Sequence, residues 1–123
     1  MRSIIILAAL AFLAIACGSK EINKTVSTEE LGSGISGFAG PTPVVVTIEK
    51  GIITSVEALP NYETPGYFTL VEEQLLPRWV GMTVQEALDT ELDAVSGATY
   101  SSNAVMKNVR LALEKAAGVK PEK

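Results

Sequence analysis

The sequence predicts an α+β domain, a small curved antiparallel sheet with helices packed on one side. Three observations point there. Two β-branched runs, Pro43 to Glu49 and Ile52 to Ala58, flank a Lys50-Gly51 pair suited to a tight hairpin turn. Two helix starts follow, Thr69 with Glu72 and Thr83 with Glu86, each with the spacing of a capping box. A long amphipathic stretch then runs from Ser101 to a closing Gly118. At 123 residues the chain is long enough for one domain with a modest core.

Residues 1–16 stand outside that domain. Met1-Arg2 is a positive start, Ser3 to Leu13 is almost unbroken apolar sequence, and Ala14-Ile15-Ala16 places small residues where a signal peptidase reads. The run is too short to span a bilayer comfortably as a helix. Residues 1–16 are therefore expected to be an export signal of the lipoprotein type. Cys17, the only cysteine, follows at once, and Leu13-Ala14-Ile15-Ala16-Cys17 is similar to a bacterial lipobox, in which the cysteine is acylated and becomes the first residue. The alternative is a leftover reactive thiol. Gly18, rather than aspartate, after the cysteine points to the outer membrane in a cell with two membranes. The expected location is the bacterial cell envelope, anchored to the membrane and facing the periplasm or the exterior. Residues 17–36, rich in Ser, Thr, Gly, Lys and Glu, are expected to be the lipidated cysteine and a flexible tether. Signal removal takes Arg2, so the net charge of −4 becomes −5, which argues against nucleic acid and against docking on anionic headgroups.

The domain proper is expected over 37–118, with a disordered tail at 119–123. In the first strand Val44, Val46 and Ile48 share one face, and in the second Ile52, Thr54 and Val56 alternate with Ile53 and Ser55. Asn61 to Phe68 reads as a loop punctuated by Pro65-Gly66. The capping box at Thr69 starts a short helix that Pro77 bends or ends. After Thr83, the residues Val84, Ala87, Leu88 and Leu92 form an apolar stripe, and Asp93 to Val95 is expected to return to the sheet. In the last helix Ser101 or Ser102 is the expected cap, and Val105 or Met106, Val109, Ala112 or Leu113, and Ala116 the buried face. Lys107, Asn108, Arg110, Glu114 and Lys115 are expected to face water.

Four small residues, Ser96-Gly97-Ala98-Thr99, precede this helix. A helix N-terminus presents free N–H groups and a partial positive charge, Gly97 and Ala98 let a ligand approach the backbone, and Ser96, Thr99, Ser101 and Ser102 add hydroxyls. That combination suits a small phosphate site. A plain glycine-serine cap has the same residues, and on local physics alone both readings stand.

Asp93-Ala94-Val95-Ser96-Gly97-Ala98-Thr99-Tyr100-Ser101-Ser102 resembles the flavinylation motif of the FMN-binding domain family, D-x-x-[ST]-G-A-T-x-[ST]. The family includes the flavin-carrying subunits of sodium-pumping NADH:quinone oxidoreductase and of Rnf complexes. The resemblance runs from about Gly37 to Ala116 and takes in Gly37-Phe38-Ala39-Gly40-Pro41, the Lys50-Gly51 hairpin and Glu63-Thr64-Pro65-Gly66. It implies an FMN-binding-domain fold and FMN joined through its phosphate to Thr99 by a magnesium-dependent FAD:protein FMN transferase. It further implies that Asp93, Ser96, Gly97 and Ala98 are the motif's remaining fixed positions, which the transferase reads and the phosphate packs against. Glu63, Thr64 and Gly66 would lie near the flavin ring. After Gly66 the family usually continues with glycine, whereas Tyr67-Phe68 stands here.

With no histidine in the chain, and with Cys17 acylated, neither a His-based acid–base site nor a Cys or His metal site can be built. No catalytic residue and no metal ligand is assigned. The expected role is electron carriage rather than stand-alone catalysis, with redox donor and acceptor proteins at the membrane as partners. Two other classes compete: a module holding FMN or another phosphorylated ligand non-covalently, and a structural envelope lipoprotein. Trp79 is read as core rather than as a flavin-stacking ring, Tyr62 or Tyr67 as a candidate for stacking, and Glu86, Asp89 and Glu91 as a solvated face.

Overall fold

A computed structural model describes residues 22–118. The export signal, Cys17 and the tail at 119–123 lie outside the described residues. The architecture is α+β, as the sequence predicts: a three-stranded antiparallel sheet in the order β1-β2-β3, with β1 at Lys24–Ser27, β2 at Val44–Glu49 and β3 at Ile52–Ala58.

The β2–β3 hairpin turns on Lys50 and Gly51, both left-handed at φ 53° and φ 77°, with Glu49 paired to Ile52. A two-residue turn of this hand matches the twist of its strands. Val44, Val46 and Ile48 are buried on one face of β2, as expected. In β3 the simple alternation fails. Thr47 pairs with Ser55 but Ile48 with Ile53, so Thr54 is an extra residue. This bulge puts Ile53 and Val56 in the core and leaves Thr54 exposed.

Part of the expected flexible tether is regular structure. Within residues 17–36, Lys24–Ser27 forms an edge strand on β2, with Val26 opposite Val46. Thr28 is fully buried; its backbone N–H donates to the Val44 carbonyl and its hydroxyl oxygen accepts the Val44 N–H, both at 2.9 Å. Lys24 donates to the carbonyl of Ala116 near the end of the last helix (3.3 Å), where a cation is favoured by the helix dipole. A polar composition concealed this because Val26, Thr28 and Gly32 alone are buried in the described part of this stretch.

Helix α1, Pro65–Gln74, begins four residues before the expected capping box. Pro65 sits in its first turn, where the fixed φ and missing N–H cost nothing. Thr69 therefore lies inside the helix and donates its hydroxyl to the Pro65 carbonyl (2.7 Å). A 3₁₀ turn at Leu76–Trp79 follows, with Trp79 buried in the core. Helix α2, Val84–Asp89, has the reciprocal cap the sequence predicts: Glu86 N–H to Thr83 Oγ1 (3.0 Å) and Thr83 N–H to Glu86 Oε1 (2.9 Å).

Asp93 to Val95 does not rejoin the sheet. The outer edge of β3 is already taken at Ile53, which donates to Met82 and accepts from Gly81, each at 2.8 Å. Helix α3, Thr99–Ala117, lies against β1 and β2 and closes on Gly118 in the left-handed region, φ 78°. Val105, Val109, Ala112, Leu113 and Ala116 are buried as expected. Two expectations fail here. The helix starts at Thr99 with Ala98 at the cap, so Ser101 and Ser102 belong to its first turn. Asn108, expected in water, is fully buried, and its amide donates to the Ala104 carbonyl (2.9 Å) and to Thr42 Oγ1 (3.5 Å).

Candidate functional site

The segment before α3 is held from inside. Val95 is buried, its N–H donates to the Ser102 hydroxyl oxygen (3.0 Å), and its carbonyl accepts from the Ala98 N–H (3.0 Å). This closes a turn over Val95 to Ala98. Gly97 takes φ 89° within it, a conformation open to glycine and strained for other residues. Ala98 is buried and makes no side-chain cap. Thr99 is thereby placed at the first helical position, exposed, at the positive end of α3.

A second anchor comes from across the chain. Glu63 is 5% exposed, and its carboxylate accepts the N–H of Phe38 (2.8 Å), the N–H of Ala39 (2.6 Å) and the hydroxyl of Ser101. Its own N–H donates to Asn61 Oδ1 (3.0 Å). Burial alone would push this carboxyl up; hydrogen bonds from Ser101 and from the backbone at Phe38, Ala39 and Gly40 outweigh it and hold the group below its ordinary value. Glu63 thus stays charged and ties the 37–40 loop to the first turn of α3. Gly37 leaves room for it, since a Cβ there would lie 2.5 Å from Glu63 Oε1.

Between these anchors opens a pocket of ≈ 420 Å³, lined by Phe38, Thr64, Tyr67, Gly97, Ala98, Thr99, Tyr100 and Ser101. Its size is that of an ordinary small-ligand site. Of the residues singled out from sequence, Thr64, Gly97, Ala98, Thr99 and Ser101 are brought together in this wall. Glu63 accepts Ser101's hydroxyl from below it. Ser102 turns inward to Val95, while Asp93, Ser96 and Gly66 are exposed outside the lining. Three aromatic lining residues were absent from the sequence-derived set of site residues. Tyr67 is a candidate for stacking on the sequence, Phe38 lies in the Gly37–Pro41 segment of the resemblance, and Tyr100 occupies the variable position of the motif.

A family model for the FMN-binding domain matches residues 37–114. The chain belongs to the FMN-binding domain family. That span contains every lining residue of the pocket, and it makes the protein an FMN-binding flavoprotein. No curated protein and no solved structure matches the chain. The matched span begins at 37, whereas β1 and Thr28 belong to the same packed structure.

The pocket's residues fit FMN. Thr99 offers a hydroxyl at a helix N-terminus, suited to a phosphate. Beside Gly97 the space is open, with Leu70 Cδ1 the nearest atom to a Cβ built there, at 4.0 Å. Aromatic side chains supply apolar surface for a flat ring. No carboxylate lines the pocket, and Glu63, which meets it through Ser101, has its oxygens engaged by Ser101, Phe38 and Ala39.

Proposed function

We propose that this FMN-binding protein is an exported, lipid-anchored electron carrier whose FMN is esterified through its phosphate to Thr99. The observation that carries the reading is the position of Thr99. Its side chain is exposed at the first turn of α3, inside a pocket with aromatic walls and next to a glycine in the left-handed region. The chain's own contribution is to present this hydroxyl, to leave the neighbouring backbone open through Gly97, and to fix the helix start through Ser102 and Glu63. None of the lining residues carries a carboxylate or imidazole, which supports attachment by a separate magnesium-dependent FAD:protein FMN transferase. The reaction exchanges the pyrophosphate bond of FAD for a phosphoester on Thr99, and AMP leaves. When bound, FMN supplies the capacity to accept electrons in pairs and return them singly.

The lipid on Cys17 and the residues before β1 hold the domain near the membrane, where donor and acceptor proteins meet it at raised effective concentration. Co-expression with an FMN transferase is expected to add the mass of FMN less water, and Thr99→Ala to remove the gain. Full flavinylation of the Thr99→Ala protein would place the bond elsewhere. Flavin released by acid precipitation, with no mass gain, would make the protein a non-covalent FMN module. Cys17→Ala is expected to weaken electron flow in cells far more than in solution.

A further inference from the structure

Four aromatic side chains are exposed among the described residues: Phe38, Tyr62, Tyr67 and Tyr100. Three of the four line the pocket that holds Thr99. Phe38 and Tyr100 come from distant parts of the chain, yet their rings face each other with centroids 6.3 Å apart at 36°. Phe38 is 72% exposed, so its ring gains almost nothing from burial in the fold itself. Its backbone, in contrast, is tied down by a buried carboxylate: Glu63 accepts the N–H groups of Phe38 and Ala39 and joins them to Ser101. Burying a carboxylate is costly unless it is fully hydrogen-bonded. Here it is so bonded, and what it secures is the backbone beneath an exposed ring. A fixed backbone under an unburied aromatic is what a preorganised ligand wall requires, because the ordering cost is met before the ligand arrives.

We propose that the Phe38–Tyr100 pair is the wall on which the isoalloxazine ring of the flavin stacks, with Glu63 as the positioning residue that holds Phe38 in place. The inference rests on the reading that Thr99 carries FMN, since Tyr100 follows the attachment residue directly and shares its pocket. Offset stacking on a tilted aromatic pair supplies dispersion contact without a deep cavity. Tyr62 lies outside the pocket lining and is not part of the wall.

Flavin fluorescence tests this, because an excited isoalloxazine is quenched by a tyrosine or tryptophan in contact with it and not by phenylalanine. Emission and lifetime are measured on the transferase-treated protein and normalised to flavin content by mass. Phe38→Trp puts an electron-rich ring into the wall and is expected to lower emission several-fold. Tyr100→Phe removes one and is expected to raise it, while Tyr62→Trp leaves it unchanged. In the Phe38→Trp background, Glu63→Gln is expected to restore part of the emission, since one amide oxygen cannot replace two carboxylate oxygens in holding the loop. Emission per flavin that is unchanged in both Phe38→Trp and Tyr100→Phe overturns the wall and leaves the attachment standing. If the protein gains no covalent flavin, the same variants are titrated with free FMN. Stronger quenching by Phe38→Trp then supports the wall without the bond, and equal quenching overturns the wall as well.

Discussion

Ser101 donates its hydroxyl to the carboxylate of Glu63 across 38 positions of sequence, and this bond joins the two sides of the pocket that Thr99 lines. One side is the start of α3 with Thr99. The other is the 37–40 loop, whose amides the same carboxylate accepts. The pocket's shape therefore depends on a charged group that is itself nearly inaccessible.

Glu63→Ala is expected to cost about 3 kcal/mol, since it strands two backbone donors and a buried hydroxyl that were bound to a charged acceptor. Ser101→Ala removes one donor and leaves the carboxylate its amide partners, so about 1 kcal/mol is expected. Urea denaturation of the two variants measures both. Similar losses in the two would mean that the amides at 38 and 39 contribute little.

The pH dependence follows in sign. The Glu63 carboxyl is lowered in the folded protein, so its contribution is present above the ordinary glutamate value and is lost as pH falls through the lowered one. The urea midpoint of the native protein is expected to fall in acid, and the difference from Glu63→Gln to shrink over the same range. A constant difference across that range would remove the charge from the argument.

Two glycines matter for different reasons. At Gly97 a Cβ has space but the backbone, at φ 89°, resists it, so Gly97→Ala is expected to cost about 1–2 kcal/mol. At Gly37 the clash is with Glu63 Oε1, and Gly37→Ala should release the 37–40 loop. Hydrogen exchange at the Phe38 and Ala39 amides is expected to rise in Gly37→Ala and to stay near native in Gly97→Ala.

Asp93 is exposed and outside the pocket lining, so Asp93→Ala is expected to leave the melting temperature almost unchanged. If the transferase reads this carboxylate, flavin transfer under limiting transferase is slowed all the same. Normal labelling of the variant would take Asp93 out of the recognised motif.

Much of this was legible in the sequence where local chemistry and packing agree. The Lys50-Gly51 turn, the Thr83–Glu86 cap, the inward face of β2 and the Gly118 cap needed no distant partner to be read. The failures have separate causes. Thr54 is displaced by a bulge that no alternation pattern reveals, and Pro65 starts α1 inside an apparent loop because its ring suits a first turn. Five motif and loop positions could be placed at the pocket from the resemblance. The role of Glu63 could not, since nothing near it in sequence shows that its partners are Phe38, Ala39 and Ser101. The aromatic wall was missed for the same reason: Phe38 and Tyr100 meet only in the folded chain.

The buried side chain of Asn108 packs directly against the backbone of Gly32, in the segment that follows β1. Asn108 Oδ1 is buried without a hydrogen-bond partner among the described residues, and it occupies the space a Cβ on Gly32 would take, at 1.8 Å. Gly32 is held there by its N–H donating to the Thr28 carbonyl (2.8 Å), and Thr28 is bound to Val44 in turn. The segment thus docks because one position lacks a side chain, a constraint of space rather than of backbone angle. Gly32→Ala is expected to cost about 2–3 kcal/mol through overpacking. Asn108→Ala removes the obstructing amide, so in that background the same substitution should cost less than about 1 kcal/mol, giving a coupling of 1–2 kcal/mol in a double-mutant cycle. Additive losses would separate the two residues. They would also leave β1 dependent on its pairing with β2 alone, in which case deleting residues up to Ser36 should cost no more than disrupting that strand.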